Sequence, residues 1–395
     1  MAASYKLATS LIHADDEAHS EANVAPSISV STSTLHAPPP EKLEYAPEPD
    51  VNNPKRHVYS RYTTPVTTRV ESVLSSLLGG YALTYTSGLS AAYAAIVHAN
   101  PRRIAIKDGY HGVHASIEVY KKTKPELKII DIDDTFEKGD VCWVETPLNP
   151  TGEARNLTYY ADKIHAVGGW LIVDSTFAPP PIQDPFSCGA DIILHSGTKY
   201  LGGHSDLLCG ILAVKSLEEW RSLWNNRTYL GSTMGSLESF LLLRSLRTFE
   251  LRVTRQAANG TALAQWLHRV SQTPIGQSWD GVRGGVIKRV WHATLQDERD
   301  QEWIKKQMPG GGPACFAVLL EDPNEARLLP HLLKLFAPAT SLGGVESLAE
   351  QRFVSDPGAD KRLLRLSVGI EDIEDLKGDL RRALNEVGEK VKARL

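Results

Sequence analysis

The sequence predicts an α/β protein with a mainly parallel sheet in a large domain and a smaller α/β domain after it. Between about residues 70 and 215, short apolar segments alternate with helical patterns. The apolar segments are almost uninterrupted, which is typical of parallel strands covered by helices on both faces. The length points the same way, because 395 residues with 42% hydrophobic residues can build two globular domains.

The elements of the large domain follow one another with short connections. Helical periodicity marks the helices, and apolar runs of four to eight residues mark the strands. Paired glycines at 168–169 end the second helix. The predicted helices cover residues 87–99 and 157–168, and the predicted strands cover residues 102–108, 127–133, 140–147, 170–174 and 190–196.

Segments of different composition flank this domain. Residues 1–60 are rich in Pro, Ser, Thr and Asn, which predicts an extended N-terminal arm. The large domain then covers residues 61–259, and a long helical stretch from about residue 235 leads into the C-terminal small domain at 260–395. In that domain we expect strands at GGPACFAVLL and RLLRLSVGI, a helix interrupted by Pro330, and a terminal helix that begins acidic and ends basic.

Composition and charge exclude several classes of protein. The formal net charge is −4 and there is no long basic run, so we expect neither a nucleic-acid nor a membrane partner. The four cysteines form no CxxC pair, which argues against a metal site and against a disulfide framework. No secretory signal is recognisable, so we expect a cytoplasmic protein. The last residues, 393–395, read Ala-Arg-Leu and loosely resemble a peroxisomal address.

Two predicted strands end in side chains that carry chemistry. Asp174 ends the strand WLIVD, and Lys199 follows the strand ADIILHS. Either residue alone is more often a turn residue or a solvated loop charge. Ligands of such sheets bind beyond the carboxyl ends of the strands, however, so the pair should converge there. A pyridoxal phosphate site needs a lysine, a carboxylate for the pyridine nitrogen and small phosphate donors, which Ser196 and Thr198 could supply.

A second candidate phosphate site lies in TSGLSAAYAA, where a Ser-Gly turn opens into a helix. The free backbone N–H groups near Gly88 and Leu89 could bind an anion. Many helices begin in this way and bind nothing, so this motif supports a phosphate site only together with the other candidate cofactor-binding residues. A nucleotide-binding loop is set aside, because neither GxGxxG nor GxxxxGK[ST] is present.

The chain resembles the cysteine and methionine metabolism family of pyridoxal phosphate enzymes, the trans-sulfuration enzymes. TSLIHADD and VAPSISVSTST resemble the family's N-terminal arm, and VYSRYTTPVTTRVE resembles its next segment. Seven further motifs follow in the family's order: ALTYTSGLSAA, DGYHG, VETPLNPTG, VDSTFAPP, HSGTKYLGGHSD, SLGGVESL and RLLRLSVGIEDIEDL. The resemblance implies the fold of the aspartate aminotransferases, known as fold type I, and pyridoxal 5'-phosphate as cofactor.

The resemblance also implies a role for each matching residue. Lys199 would bind the cofactor covalently and move protons between substrate carbons, and Asp174 would pair with the pyridine nitrogen. Tyr110 would stack on the ring and act as acid or base, and Asn149 would bond the phenolic oxygen. The phosphate would be held by Gly88, Leu89, Ser196 and Thr198.

Further roles concern the substrate and a second subunit. Arg365, with Ser341, would bind the α-carboxylate of a small amino-acid substrate, to which a planar guanidinium is suited. Tyr59 and Arg61 would complete the phosphate site of a neighbouring subunit. The resemblance therefore implies a homodimer or homotetramer with shared active sites.

Several departures from the family pattern mark a divergent branch of the family, and the first two concern the substrate. Thr340 stands where relatives that act on cystathionine usually have glutamate, and His111 stands where relatives have glycine. Gly197 replaces a commoner alanine, and ESLAEQRF lacks the proline that often closes this loop. His111 could be an acid or base near the leaving group, or a structural residue.

These departures leave several enzymatic activities open. The first expectation is γ-replacement on an O-acyl-L-homoserine, as in cystathionine γ-synthase. Elimination from a cystathionine-like or methionine-like substrate to a 2-oxo acid, ammonia and a thiol is the alternative, and replacement by a carbon nucleophile is a further one. A catalytically silent homologue is the last, and the joint presence of Lys199, Asp174, Tyr110, Asn149 and Arg365 argues against it.

Overall fold

A computed structural model describes residues 5–19, 23–35 and 57–393. Its strands form a seven-stranded sheet of order β1-β7-β6-β5-β4-β2-β3, a five-stranded sheet of order β10-β11-β14-β13-β12 and the small pair β8-β9. The strands are β1 (Tyr81–Tyr85), β2 (Arg103–Ala105), β3 (Lys128–Ile130), β4 (Val141–Glu145), β5 (Trp170–Asp174), β6 (Ile192–Ser196), β7 (Gly210–Val214), β8 (Ser278–Trp279), β9 (Val282–Arg283), β10 (Ile287–Trp291), β11 (Cys315–Leu320), β12 (Phe336–Ala337), β13 (Ser347–Gln351) and β14 (Leu363–Ser367).

Helices cover both faces of the seven-stranded sheet and one side of the second sheet. They are α1 (Leu7–His13), α2 (Pro65–Leu78), α3 (Gly88–Ala99), α4 (His111–Lys121), α5 (Leu157–His165), α6 (Leu217–Leu230), α7 (Ser236–Leu246), α8 (Phe249–Ser271), α9 (Gln301–Gln307), α10 (Pro323–Leu332) and α11 (Ile373–Lys392). In the described part of the chain, no helix is long and apolar enough to cross a membrane.

The large sheet is mainly parallel, as the sequence predicts. Strands β2 to β6 pair in parallel, and only β7 runs antiparallel to its neighbours β6 and β1. All residues of β4 and β7 are buried, and two apolar clusters pack against the sheet. Burial on both faces explains why these strands are apolar at every position instead of alternating. The parallel strands also bring their carboxyl ends to one edge.

The second sheet is mostly antiparallel and carries the residues that reach the large domain. Strand β14 lies between β11 and β13, so that Arg365 pairs in register with Ala317 on one side and Glu350 on the other. The predicted strands in GGPACFAVLL and RLLRLSVGI correspond to β11 and β14. Helix α10 continues through Pro330 and ends two residues later. The predicted domain boundary at 259/260 falls inside α8 and stays a prediction.

The N-terminal arm is not wholly extended, which corrects the prediction for its first part. Residues Leu7–His13 form α1, and a 3-10 helix follows at Asp16–Ala18. Asp15 is fully buried between them, and its carboxylate pairs with Arg69 (2.6 Å) and Arg247 (2.9 Å). Burial alone would raise the pKa of Asp15, but hydrogen bonds from Arg247 and Arg69 outweigh burial and lower it. An ion pair anchors this segment, which composition could not indicate.

Two other predictions concern the long helical stretch and the segments that the structure does not describe. The helical stretch from residue 235 is two helices, α7 and α8, separated at Arg247 and Thr248. Most of the Pro-rich segment at the centre of the arm lies outside the described residues, as do Arg394 and Leu395 of the C-terminal tripeptide.

Candidate active site

A cavity of about 350 Å³ lies where the carboxyl ends of β4, β5 and β6 meet the second sheet. This is the edge at which parallel sheets bind their ligands. Most of the predicted site residues are brought together here. Ten of the twelve line the cavity: Gly88, Leu89, Tyr110, Asn149, Asp174, Ser196, Thr198, Lys199, Ser341 and Arg365.

Lys199 lies in the turn after β6, and its side chain is directed at the second sheet. Its Nζ donates a hydrogen bond of 2.8 Å to Oγ of Ser341. Burial, and then the positive charge of Arg365, lowers the pKa of Lys199 below its usual range. An amine of lowered pKa is more often neutral, which is the form that acts as a nucleophile or a base.

Asp174 ends β5 on the floor of the cavity. Its Oδ1 accepts hydrogen bonds from the backbone N–H of Thr176 (3.0 Å) and from the Thr176 hydroxyl (2.6 Å). Burial nevertheless raises the pKa of Asp174, because these two bonds compensate the charged form only in part. Oδ2 accepts no hydrogen bond from the residues that the structure describes. A protonated ring nitrogen would supply the missing donor and favour the charged carboxylate.

Glu145, which the sequence analysis missed, ends β4 next to Asp174. One carboxylate oxygen accepts the backbone N–H of Tyr110 (2.7 Å), and the other accepts that of Asn149 (2.7 Å). Glu145 therefore holds two predicted site residues in place. Burial, and then the charge of Asp174, raises the pKa of Glu145. Its place at the end of a buried strand is the signal that identified Asp174, and it could have identified Glu145 as well.

The predicted phosphate end is formed by the start of α3 and the end of β6. Ser87 caps the helix, since its Oγ accepts the backbone N–H of Ser90 (3.1 Å). Gly88 approaches Ser196 so closely that a Cβ at Gly88 would lie 3.1 Å from Ser196 Oγ. The Thr198 hydroxyl lines the cavity but is also bonded to the backbone of Cys209, at 3.3 Å to its oxygen and 3.0 Å from its nitrogen.

Gly197, a departure from the family pattern, has a steric explanation. A Cβ at this position would overlap Sγ of the buried Cys209 and would lie 2.5 Å from Cδ1 of Ile211. The cysteine on β7's side of the turn thus takes the space that an alanine methyl group would need. The residue is small because of its neighbour, and the departure says nothing about substrate.

Arg365 projects from β14 into the cavity and already makes several hydrogen bonds. Its Nη1 donates to Oδ1 of Asn149 (3.1 Å), while Nη2 donates to the backbone oxygen of Ser341 (3.2 Å). Nη2 also pairs with Glu350 (2.8 Å). Asn149, predicted to bond the cofactor, therefore also orients Arg365. Glu350 and its second partner Arg352 were missed, because only the register of β13 and β14 brings them to the site.

Tyr110 and His111 lie together at the wall of the cavity. Tyr110 remains 40% exposed, and the two rings are 4.8 Å apart between centroids. Both residues stand at the start of α4. The exposed face of Tyr110 leaves room for a ring to stack on it.

Tyr59 and Arg61 do not line this cavity in the described chain. The Arg61 guanidinium lies over the rings of Tyr59 (5.5 Å) and Tyr62 (5.2 Å), and its Nη1 donates to the backbone oxygen of Thr228 (3.4 Å). Their assignment to the active site of a neighbouring subunit stays a prediction.

The fold and the cavity define a pyridoxal phosphate enzyme of fold type I. The model of the family described as Cys/Met metabolism PLP-dependent enzyme matches residues 8–385. The chain therefore belongs to this family, as its motifs indicate.

Similar proteins include enzymes of more than one activity. A cystathionine gamma-lyase from Dictyostelium discoideum is 32% identical, over 97% of this chain and 98% of that protein. A cystathionine gamma-synthase from Escherichia coli is 31% identical, over 83% of this chain and 88% of that protein. The crystal structure of apo CalE6, a methionine gamma lyase from Micromonospora echinospora, superposes with a TM-score of 0.81 at 29% identity, covering 96% and 99% of the two chains. The prediction of a pyridoxal phosphate enzyme of sulfur amino-acid metabolism is confirmed.

The residues of the cavity fit the cofactor of this family. Lys199 offers a buried amine, and Asp174 has an oxygen that accepts no hydrogen bond from the described residues. The start of α3 at Gly88 presents free N–H groups beside Ser196, where a phosphate needs them. No group of His, Cys, Asp and Glu side chains that could hold a metal ion is found among the described residues.

Proposed function

We propose that this protein replaces the acyloxy group on the γ carbon of an O-acyl-L-homoserine with an incoming nucleophile. The observation that carries the proposal is the charge of the cavity wall away from the strand ends. Thr340 lines the cavity there with a neutral hydroxyl. In the described chain, the acidic residues that line the cavity are Glu145 and Asp174, which both end strands of the large sheet. A homoserine ester has no distal ammonium group and needs no carboxylate at this wall.

The side chains around the cavity suit the first steps of this reaction. Arg365 and Ser341 would bind the α-carboxylate, which places the α carbon beside Lys199 because Lys199 and Ser341 are in contact. The amine of Lys199 would then take the α proton and later move protons at the β carbon. When bound, pyridoxal phosphate withdraws the electrons that the broken C–H bond leaves on the α carbon. The acyloxy group would depart as a carboxylate with the electron pair of the bond between the γ carbon and oxygen, and the nucleophile would supply the electron pair of the new bond to the γ carbon.

Asp174, Glu145 and Tyr110 would serve the reaction in different ways. Asp174 would keep the ring nitrogen of the cofactor protonated, since its Oδ2 accepts no hydrogen bond from the described residues and the carboxyl lines the cavity. Glu145 would act as a positioning residue, because it holds the backbone of Tyr110 and Asn149. Tyr110 would exchange protons with the incoming amine and with the nucleophile, since its ring is open to the cavity.

Elimination is the second candidate reaction, because several similar proteins are lyases. The Dictyostelium protein is a cystathionine gamma-lyase, and a Lactococcus lactis relative at 31% identity is a cystathionine beta-lyase. A lyase of either type would have to hold the distal ammonium group of cystathionine. The neutral Thr340 makes this less favourable, because a hydroxyl group cannot neutralise an ammonium ion.

Holoenzyme assays with three mixtures test the proposal. The three mixtures contain O-acetyl-L-homoserine alone, O-acetyl-L-homoserine with L-cysteine, and L-cystathionine alone. In each, the 2-oxo acid released is measured and the other products are identified by mass spectrometry. We expect a substituted product that depends on cysteine, and little 2-oxo acid from any mixture. Rapid 2-oxo acid formation from cystathionine would instead assign a lyase. Lys199→Ala is the control for reactions that need no enzyme.

We also propose that the active site is shared between subunits, with the partner subunit's Tyr59 and the partner subunit's Arg61 completing the phosphate end. The support is that Tyr59 and Arg61 lie away from this chain's own cavity while Tyr59 remains 39% exposed. Mixing two inactive variants, Arg61→Ala and Lys199→Ala, tests the idea after subunit exchange. We expect activity to return, because a hybrid dimer contains one intact site. No recovery despite verified hybrids would contradict a shared site.

A further inference from the structure

A buried arginine lines the cavity beyond the residues that the reaction uses. Arg352 follows β13 directly and begins the 3-10 helix Arg352–Val354. It is only 5% exposed, yet it forms part of the cavity wall together with Ser355 and Thr340. It belongs to ESLAEQRF, the segment that departs from the family pattern. Burying a guanidinium group is costly unless partners compensate its charge and its hydrogen bonds. If the partners of Arg352 compensate it fully, a structural role explains the residue.

The partners of Arg352 do not satisfy it. Nη1 pairs with Oε2 of Glu350 at 3.0 Å, but the same oxygen also receives Arg365 at 2.8 Å. One carboxylate therefore serves two guanidinium groups. Nearby Cys315 adds no negative charge, because burial raises the pKa of its thiol to about 11.

Three polar atoms in this part of the molecule have no hydrogen-bond partner among the residues that the structure describes. They are Nε of Arg352, Oε1 of Glu350 and Oγ of Ser355, and all three are buried. Buried polar atoms are nearly always bonded in native proteins, so a group of them beside a cavity indicates a missing ligand or water. Arg352 uses one donor on Glu350, whereas Arg365 bonds three different residues. Arg352 thus has the larger unused capacity to donate.

We infer that Arg352 is a specificity-determining residue that binds an oxyanion at the distal end of the substrate side chain, with Ser355 as its neighbour. Arg365 would take the α-carboxylate, and Arg352 would take a carboxylate or phosphate group carried by the leaving group. Guanidinium groups bind both anions through paired N–H donors. The inference rests on the proposed function and names its substrate class: homoserine esters with an acidic ester group are preferred over esters with a neutral one.

Binding of two matched amino acids to the holoenzyme tests this inference without turnover. L-norleucine and L-2-aminoadipate share the α-amino acid group and an unbranched side chain, but only the latter ends in a carboxylate. We expect calorimetry to give about tenfold to hundredfold tighter binding of L-2-aminoadipate, which is the range for hydrogen bonds to charged groups. L-2-amino-5-phosphonopentanoate, which has the same chain length as both, shows whether phosphonate or carboxylate fits better.

Three variants separate recognition from a structural role. Arg352→Gln should lose the preference for L-2-aminoadipate while binding L-norleucine within about twofold of the wild type. Arg352→Lys should keep part of the preference, because it keeps the charge without the paired donors. Arg362→Gln is the matched control, since Arg362 lies on the same segment but pairs with Asp360 away from the cavity. It should change neither affinity.

Two results would overturn the inference. One is equal affinity of the wild type for both amino acids, and the other is equal weakening of both by Arg352→Gln, which is the signature of a structural ion pair. Failure of the proposed function is distinguishable, because it would appear as no γ-replacement with either O-acetyl-L-homoserine or O-succinyl-L-homoserine while the affinity ratio persists. Kinetics with O-succinyl-L-homoserine against O-acetyl-L-homoserine then connect the ratio to catalysis.

Discussion

The two ends of the active-site cavity differ in how closely they follow the family pattern. At the strand ends of the large sheet, Lys199, Asp174 and Ser196 match family motifs, and their neighbours are tightly packed. At the opposite wall, Thr340 and the segment ESLAEQRF, which contains Arg352, depart from the family pattern, and Arg352 and Ser355 have buried polar atoms without partners in the described part of the chain. The difference supports our proposal that the sheet edge holds the chemistry common to the family, while the second sheet and its loops select the substrate.

Replacing the lysine at the sheet edge should have the largest effect. Lys199→Ala removes the amine that we propose binds the cofactor and moves the proton, and we expect turnover to fall by at least about 10³-fold. The visible absorption that the bound cofactor owes to Lys199 should disappear as well. Substantial remaining turnover with unchanged absorption would show that another residue holds the cofactor. The sheet edge would then not be the part of the cavity that carries the chemistry.

Glu145→Gln tests whether the sheet edge depends on a positioning residue. Gln offers one acceptor oxygen for two backbone N–H donors, so we expect the free energy of unfolding to fall by about 1–3 kcal/mol. Because burial raises the pKa of Glu145, the folded wild type binds a proton that the unfolded chain releases above its ordinary carboxyl pKa. The contribution of Glu145 to stability is therefore complete at low pH and is lost as pH rises.

Denaturant unfolding of the wild type and Glu145→Gln across pH measures this contribution. The difference in unfolding free energy between the two proteins should shrink as pH rises from about 5 towards neutrality and above. Glu153→Gln provides a matched control, since Glu153 is a partly exposed glutamate outside this cavity. A difference that grows with pH would mean that Glu145 is charged in the folded protein.

Gly197→Ala tests the packing behind the phosphate end. The added methyl group would overlap Cys209 Sγ, and we expect a loss of about 1–3 kcal/mol in unfolding free energy from overpacking. The double variant Gly197→Ala/Cys209→Ala should recover part of this loss, which a double-mutant cycle measures as a coupling energy. Strictly additive losses would show that Ile211, and not Cys209, sets the size of residue 197.

Thr340→Glu should have the smallest effect and should act on substrate choice alone. A carboxylate at this wall can pair with a distal ammonium group, and we expect kcat/KM for L-cystathionine to rise by about threefold to tenfold. The absorption of the bound cofactor should stay unchanged, because Thr340 is none of the residues predicted to hold the cofactor. Thr340→Gln controls for side-chain size. An equal rise in both variants would contradict the electrostatic account.

Much of the reaction chemistry could be read from the chain alone. Residues that follow strands of a parallel sheet must converge at one edge, so Asp174 and Lys199 were predictable as a pair before any geometry was known. Glu145 obeys the same rule and was overlooked. Helix α1 was not anticipated, because the contacts that hold it and Asp15 come from Arg69 and Arg247, which are far away in the chain.

The sequence determined the sheet, the cofactor and the order of motifs, because apolar strands and the residues that end them are local features. Tertiary structure alone decided the selective wall of the cavity. Register between β13 and β14 brings Glu350 opposite Arg365, and the turn after β13 then brings Arg352 to the same carboxylate. The physical reason is that charge compensation between buried groups depends on distances of a few ångströms across strands, which no spacing along the chain expresses.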